Sequence, residues 1–223
     1  MLDCTTPKYD DLYARWLEDP WQLPVMAKWV RDEPLLDLCG GTGVVSKALL
    51  VPQPFGSIPK PRVVLFDYNP RAGDWAEAQE NNGRFEQVCG DANDVDIYFS
   101  PEYFGVVVCR QAMGYLDLNR VMPAVARILK PGGRFVFNTF NTPKPLGMKA
   151  YYYKNQHYLE AHVSLFHRVL HFQVKVSAKP GMDVSLFKFH TVDQIRKAAE
   201  PWFDVDCQIA GQSVHWICTR KEK

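Results

Sequence analysis

Short, mostly apolar runs along this chain alternate with stretches whose apolar positions recur every three or four residues. Leu35, Leu36 and Leu38 form the first run, and Val44, Val45, Ala48, Leu49 and Leu50 open a helical stretch behind it. Val63 to Phe66, Phe85 to Val88, Phe104 to Cys109 and Arg134 to Phe140 read as further strands. Ala72 to Asn81 and Val121 to Leu129 carry helical spacing, the second stopped by Lys130-Pro131-Gly132-Gly133. Nearly all-apolar strands belong in a sheet covered by helices on both faces. Strands alternating with helices imply right-handed crossovers and mostly parallel pairing.

After Phe140 the period changes. Leu159, Ala161, Val163 and Leu165, then Val169, Phe172, Val174 and Val176, alternate as antiparallel strands do. Ser185 to His190 reads as one more strand, and Thr191 to Glu200 as a helix with Thr191 at its N-cap. Val205 to Gln208 and Val214 to Thr219 close the chain as a strand pair around Gly211. The pattern predicts an α/β, Rossmann-like, mostly parallel seven-stranded sheet with helices on both faces. An antiparallel β insertion precedes the last helix.

One domain over 1–223 is expected, the length being enough for a single large core. Its parts are an N-terminal helical lid (1–34), a core (35–141), the insertion (151–190) and the closing helix and strands (191–223). In the first part Tyr9, Leu12, Tyr13, Trp16 and Leu17 make one aromatic helical face. Such a stripe is usually structural, and it also suits a lid over a ligand. Pro52, Pro54, Pro59 and Pro61 make 51–62 a surface connection.

Composition changes this picture little. A hydrophobic content of 47% and a formal net charge of +1 fit an ordinary globular protein without a phosphate-rich partner. The first residues lack the features of a signal peptide, and no apolar run has the length of a membrane span. The six cysteines form no C-x-x-C. Buried reduced thiols in a cytoplasmic protein are expected, with no metal site.

The chemistry gathers where the strands end. Asp37, Asp67 and Asp91 follow three successive strands, and Cys39-Gly40-Gly41-Thr42-Gly43 runs from the first strand into its helix. In an open parallel sheet those carboxyl ends line one crevice. Glycines there let backbone and a helix N-terminus approach a ligand. A lone aspartate after a strand is ordinarily a turn or a cap, but three at matching positions beside a glycine loop indicate a nucleoside-type ligand. Gly41-x-Gly43-x-x-Ser46 also nearly fits a nicotinamide-binding fingerprint. That reading gives no role to Asp91 or to the 130–133 turn.

The segments LLDLCGGTG, VVLFDYNP, CGDAND, VVVCRQAMGYL and RILKPGGRFVF occur in one order between Leu35 and Asn141. In them the chain resembles the class I S-adenosylmethionine-dependent methyltransferases of small-molecule type. Cys39 stands where the family's first glycine is usual. The resemblance implies S-adenosylmethionine as co-substrate, with Asp37, Cys39, Gly40, Gly41 and Gly43 around its methionine part. It places Asp67 on the ribose, Tyr68 beside the adenine, Asp91 and Ala92 on the base, and Arg110 and Gln111 near the methyl donor. Transfer to N or O of a small molecule is the implied reaction. C-methylation of a quinone-type precursor, RNA methylation and an inactive cofactor-binding partner protein are the alternatives.

For the acceptor the residues speak less. His157, His162, His167 and Tyr9 are candidates for a general base. However, His157, His162, His167 and His171 alternate between faces of a strand, so most cannot share a site. An amine that arrives neutral needs no enzymic base. The acceptor, the oligomeric state and the pathway are not legible in these residues.

Overall fold

The computed structural model describes residues 33–50, 62–70, 72, 83–140, 149–152, 158–165, 168–175, 190–210 and 213–222. The first strand, β1 (Leu35–Leu38), leads into α1 (Val44–Leu50). Then come β2 (Val63–Asp67), β3 (Phe85–Cys89), β4 (Phe104–Cys109) and α2 (Leu118–Ile128). β5 (Leu129–Phe140) precedes β6 (Lys149–Tyr152), β7 (Tyr158–Leu165) and β8 (Arg168–Lys175). α3 (Val192–Ala199), β9 (Phe203–Ala210) and β10 (Ser213–Arg220) complete the order.

Seven strands form one sheet in the order β3-β2-β1-β4-β5-β10-β9. β1 to β5 pair in parallel, and β10 runs antiparallel to both β5 and β9. The two faces bury different sets. Leu36, Leu38, Val64, Phe66, Val107, Cys109, Phe135, Phe137 and Trp216 join α2 and α3 in the larger core. Leu35, Val63, Val106 and Val108 meet Val45 and Leu50 of α1 on the other. Helices on both faces suit the mostly apolar central strands, β4 being buried at every residue.

The insertion is a separate three-stranded antiparallel sheet, β6-β7-β8. Its register opposes His162 to His171 across the β7–β8 hairpin. The two positions therefore share one face of that sheet, which revises the view that the histidines scatter. β7 and β8 are two antiparallel strands and not one, so the alternation does not run through from one to the other.

Several expectations change in detail. α2 starts at Leu118, earlier than Val121, because Asp117 caps it by accepting the Asn119 N–H at 3.0 Å. Lys130 to Gly133 lie within β5 as an irregularity: the register jumps between the Phe104–Leu129 and Val106–Arg134 pairs. Cys109 and Cys218 are buried reduced thiols as expected, whereas Cys89 is exposed because β3 is the sheet's edge strand. His190 lies outside any strand. The helical lid with Tyr9, the 51–61 connection, nearly all of 72–81, 185–189, and His157 and His167 fall outside the described residues.

Candidate functional site

β1, β2, β3 and β4 end at one edge of the sheet. The chain steps outward through β1, β2 and β3, then returns past β1 to β4. The reversal between β1 and β4 is the switch point at which doubly wound sheets open a crevice.

The glycine loop is tied to β2. The Cys39 and Gly40 N–H groups both donate to the Phe66 carbonyl, at 2.7 and 3.3 Å. Cys39 has φ 57°, a left-handed conformation that a glycine adopts at no steric cost. That is the physical sense of the glycine usual at this point. Gly40 has no room for a side chain, since a Cβ would stand 2.9 Å from the Asp37 carboxyl carbon. Gly41, at φ 54°, is the opposite case: a Cβ there would meet nothing within 4 Å among the described residues. Its backbone therefore borders open space.

Asp37 is buried, 1% exposed, on the face of the sheet that carries α1. Its Oδ2 accepts the Ser46 hydroxyl at 2.6 Å and the Ser46 N–H at 3.1 Å. Its Oδ1 has no hydrogen-bond partner among the described residues. Burial pushes its carboxyl up to about 6; the Ser46 bonds oppose this, the Asp67 charge adds to it and Arg110 opposes it. A buried carboxylate oxygen left over in this way suits a cationic group on a ligand.

Asp67 is half-buried, and each oxygen takes one backbone donor: Gly41 N–H on Oδ2 at 2.9 Å and Asn69 N–H on Oδ1 at 2.8 Å. These bonds aim the carboxylate and join the glycine loop to β2. Each oxygen keeps a second lone pair. Asp91 is exposed and caps the 3₁₀ turn Ala92–Ile97, its Oδ1 accepting the Asn93 N–H and Nδ2–H, both at 2.9 Å. The ordinary capping role of an aspartate is thus realised here, with Oδ2 making no hydrogen bond among the described residues. Ala92 is buried and Tyr68 is 67% exposed.

Beyond β4, Arg110 is half-buried and acts on the Asp37 charge. Gln111 is left-handed at φ 56°, and its N–H donates to Asn138 Oδ1 at 2.8 Å. Cys39 stands beside Cys109: a hydrogen bond between the two thiols, with burial, pushes the Cys39 thiol well above its ordinary range. These surroundings disfavour the thiolate form of Cys39.

Ser46, which the sequence offers only as the end of a nicotinamide-type fingerprint, holds Asp37. Two residues have no part in the sequence reading. Asn138 and His215, 6% and 2% exposed, are register partners across β5 and β10. Each is a strongly polar residue inside a mostly apolar strand run, FVFNTF and SVHWIC, and that is the signal that marks it. Of the four base candidates only His162 lies among the described residues, at a register position in β7.

Residues 36–137 match the family described as a methyltransferase domain. No curated protein matches the chain. Among solved structures, the PH0226 protein from Pyrococcus horikoshii is 19% identical, with TM-score 0.62, over 99% of this chain and 94% of that one. The Burkholderia thailandensis 1,6-didemethyltoxoflavin-N1-methyltransferase, with 1,6-didemethyltoxoflavin and S-adenosylhomocysteine bound, is 14% identical (TM-score 0.61, 96% and 84% covered). The glycopeptide N-methyltransferase MtfA, complexed with S-adenosylmethionine, is 17% identical (TM-score 0.53, 93% and 92% covered). At such identities the likeness is one of fold.

Proposed function

We propose that this chain, whose residues 36–137 match the methyltransferase-domain family, moves a methyl group from S-adenosylmethionine to a nitrogen or oxygen of a small molecule. The observation that carries the reading is Asp67: a carboxylate at the mouth of a parallel sheet, aimed by the Gly41 and Asn69 N–H groups. Two further features fit the methyl donor. The unpartnered Asp37 Oδ1 matches its ammonium group, and the open space against Gly41 admits the chain that carries it. When bound, S-adenosylmethionine supplies an electrophilic methyl on a sulfonium.

The protein's own residues then have three tasks. Asp37, kept in place by Ser46, binds the cationic end of the donor. Asp67 binds the ribose hydroxyls through its remaining lone pairs, and Asp91 Oδ2 accepts from the adenine amino group, with Tyr68 covering the base. The rim after β4, Arg110 and Gln111, flanks the methyl. Holding donor and acceptor in line supplies roughly 7–11 kcal/mol of rate enhancement by positioning alone. In this reading the insertion β6–β8, a sheet separate from the main one, serves the acceptor. Small-molecule transfer is favoured over nucleic acid by the near-zero net charge. The two fold neighbours named as N-methyltransferases of toxoflavin and glycopeptide type also support it. Among the described residues no helix is long and apolar enough to cross a membrane.

The test is Asp67→Ala in calorimetry. Affinity for S-adenosylmethionine is expected to fall at least tenfold, about 1.4 kcal/mol; unchanged affinity rejects the assignment. Labelled-methyl transfer into a small-molecule extract checks the acceptor class. Label appearing in RNA or protein alone rejects it.

A further inference from the structure

We infer that Asn138 is a positioning residue for methyl transfer, acting through the backbone of Gln111; the inference rests on the methyl-transfer reading above. β4 ends at Cys109, paired with Phe137 of β5, so Asn138 stands one step further along β5 beside the turn that β4 makes. At that turn Gln111 takes φ 56°, a conformation that L side chains rarely adopt. Its N–H is met by Asn138 Oδ1 at 2.8 Å. The donor fixes the orientation of the amide, because only the oxygen can accept.

Asn138 is 6% exposed, in a strand whose neighbours Val136 and Phe137 are apolar. A buried polar side chain in such a strand is costly unless it is used. Here its use is to stabilise a left-handed turn that the chain does not otherwise favour. That turn carries Arg110, whose charge acts on Asp37, so Asn138 sets the rim of the crevice from the far side of β4. Without the acceptor, Gln111 relaxes toward negative φ and the rim leaves its place.

The test compares Asn138→Ala in two backgrounds, the natural chain and Gln111→Gly, with S-adenosylhomocysteine as the calorimetric probe. Glycine holds a positive φ without help. Asn138→Ala is expected to weaken binding about tenfold in the natural chain and less than threefold beside Gln111→Gly. Hydrogen exchange at the Gln111 amide should accelerate in Asn138→Ala and stay slow in Asn138→Asp, which keeps an acceptor. Equal losses in both backgrounds, no loss in the natural chain, or unchanged exchange in Asn138→Ala would each overturn the inference. If the natural chain itself binds no S-adenosylhomocysteine, the methyl-transfer reading falls and this inference with it. Binding that is equal in the natural chain and Asn138→Ala removes the inference alone.

Discussion

Asp37 sets stability against binding within a single side chain. Its carboxyl is pushed from 3.8 up to about 6, first by burial. Between those values the folded protein binds more protons than the unfolded chain, so stability declines as pH rises through that window. Above it, the ionised group costs on the order of 3 kcal/mol. Asp37→Asn should therefore raise the unfolding free energy of the ligand-free protein at pH 8 by about 1–3 kcal/mol. It should also flatten the fall between pH 4 and 6, as read by urea titrations at several pH values. The same carboxylate, once ionised, is what a cationic ligand needs. Affinity for S-adenosylmethionine is expected to drop about tenfold per pH unit below 6, and calorimetry across pH 5–8 should show that slope lost in Asp37→Asn. A stabilised variant that keeps full affinity would show that Asp37 faces no ligand.

At the scale of elements, caps and strand ends decide which acid does what. Asp91 is at once the N-cap of a 3₁₀ turn and the adenine acceptor of the proposed site, and the two roles separate by atom. Asparagine caps as well as aspartate, but its second atom is a donor, not an acceptor. Asp91→Asn is thus expected to leave the melting temperature within about 2 °C while weakening S-adenosylmethionine binding roughly tenfold. Thermal scans and calorimetry on the same sample check both. Unaltered affinity would leave Asp91 a cap only.

The strands were legible in the sequence because buried parallel strands are mostly apolar, and Asp67 and Asp91 stand at or just past strand ends. Asp37, expected beyond its strand, lies inside β1, where Leu38 continues the pairing with β2. Thr191 was legible too, as its capping box with Gln194 is a local code. The start of α2 was not: Pro123 inside the helix hides a beginning that only Asp117 marks. Nor was the pairing of Gln111 with Asn138, 27 residues apart in sequence, because cross-strand register is a tertiary fact.

Across the whole molecule, the seam between β5 and β10 is where the parallel half meets the antiparallel closing pair. Trp216 is fully buried on that seam, stacked on Phe137 at 5.7 Å between ring centroids, with its Nε1–H donating to Thr139 Oγ1 at 2.9 Å. Trp216 packs into the larger core, while its neighbour His215 stands opposite Asn138 in the register of the same two strands. Anything that loosens the seam should therefore reach the crevice through β5. Trp216→Ala is expected to cost about 3–5 kcal/mol, a large part of a domain's usual margin of roughly 5–15 kcal/mol. Trp216→Phe keeps the stacking, loses the bond to Thr139, and should cost about 1–2 kcal/mol. Denaturant titrations of both variants order these costs. In Trp216→Phe, which stays folded, hydrogen exchange at Gln111 should also speed up. If that amide stays as protected as in the natural chain, the seam and the crevice are mechanically separate, and β10 serves only to complete the sheet.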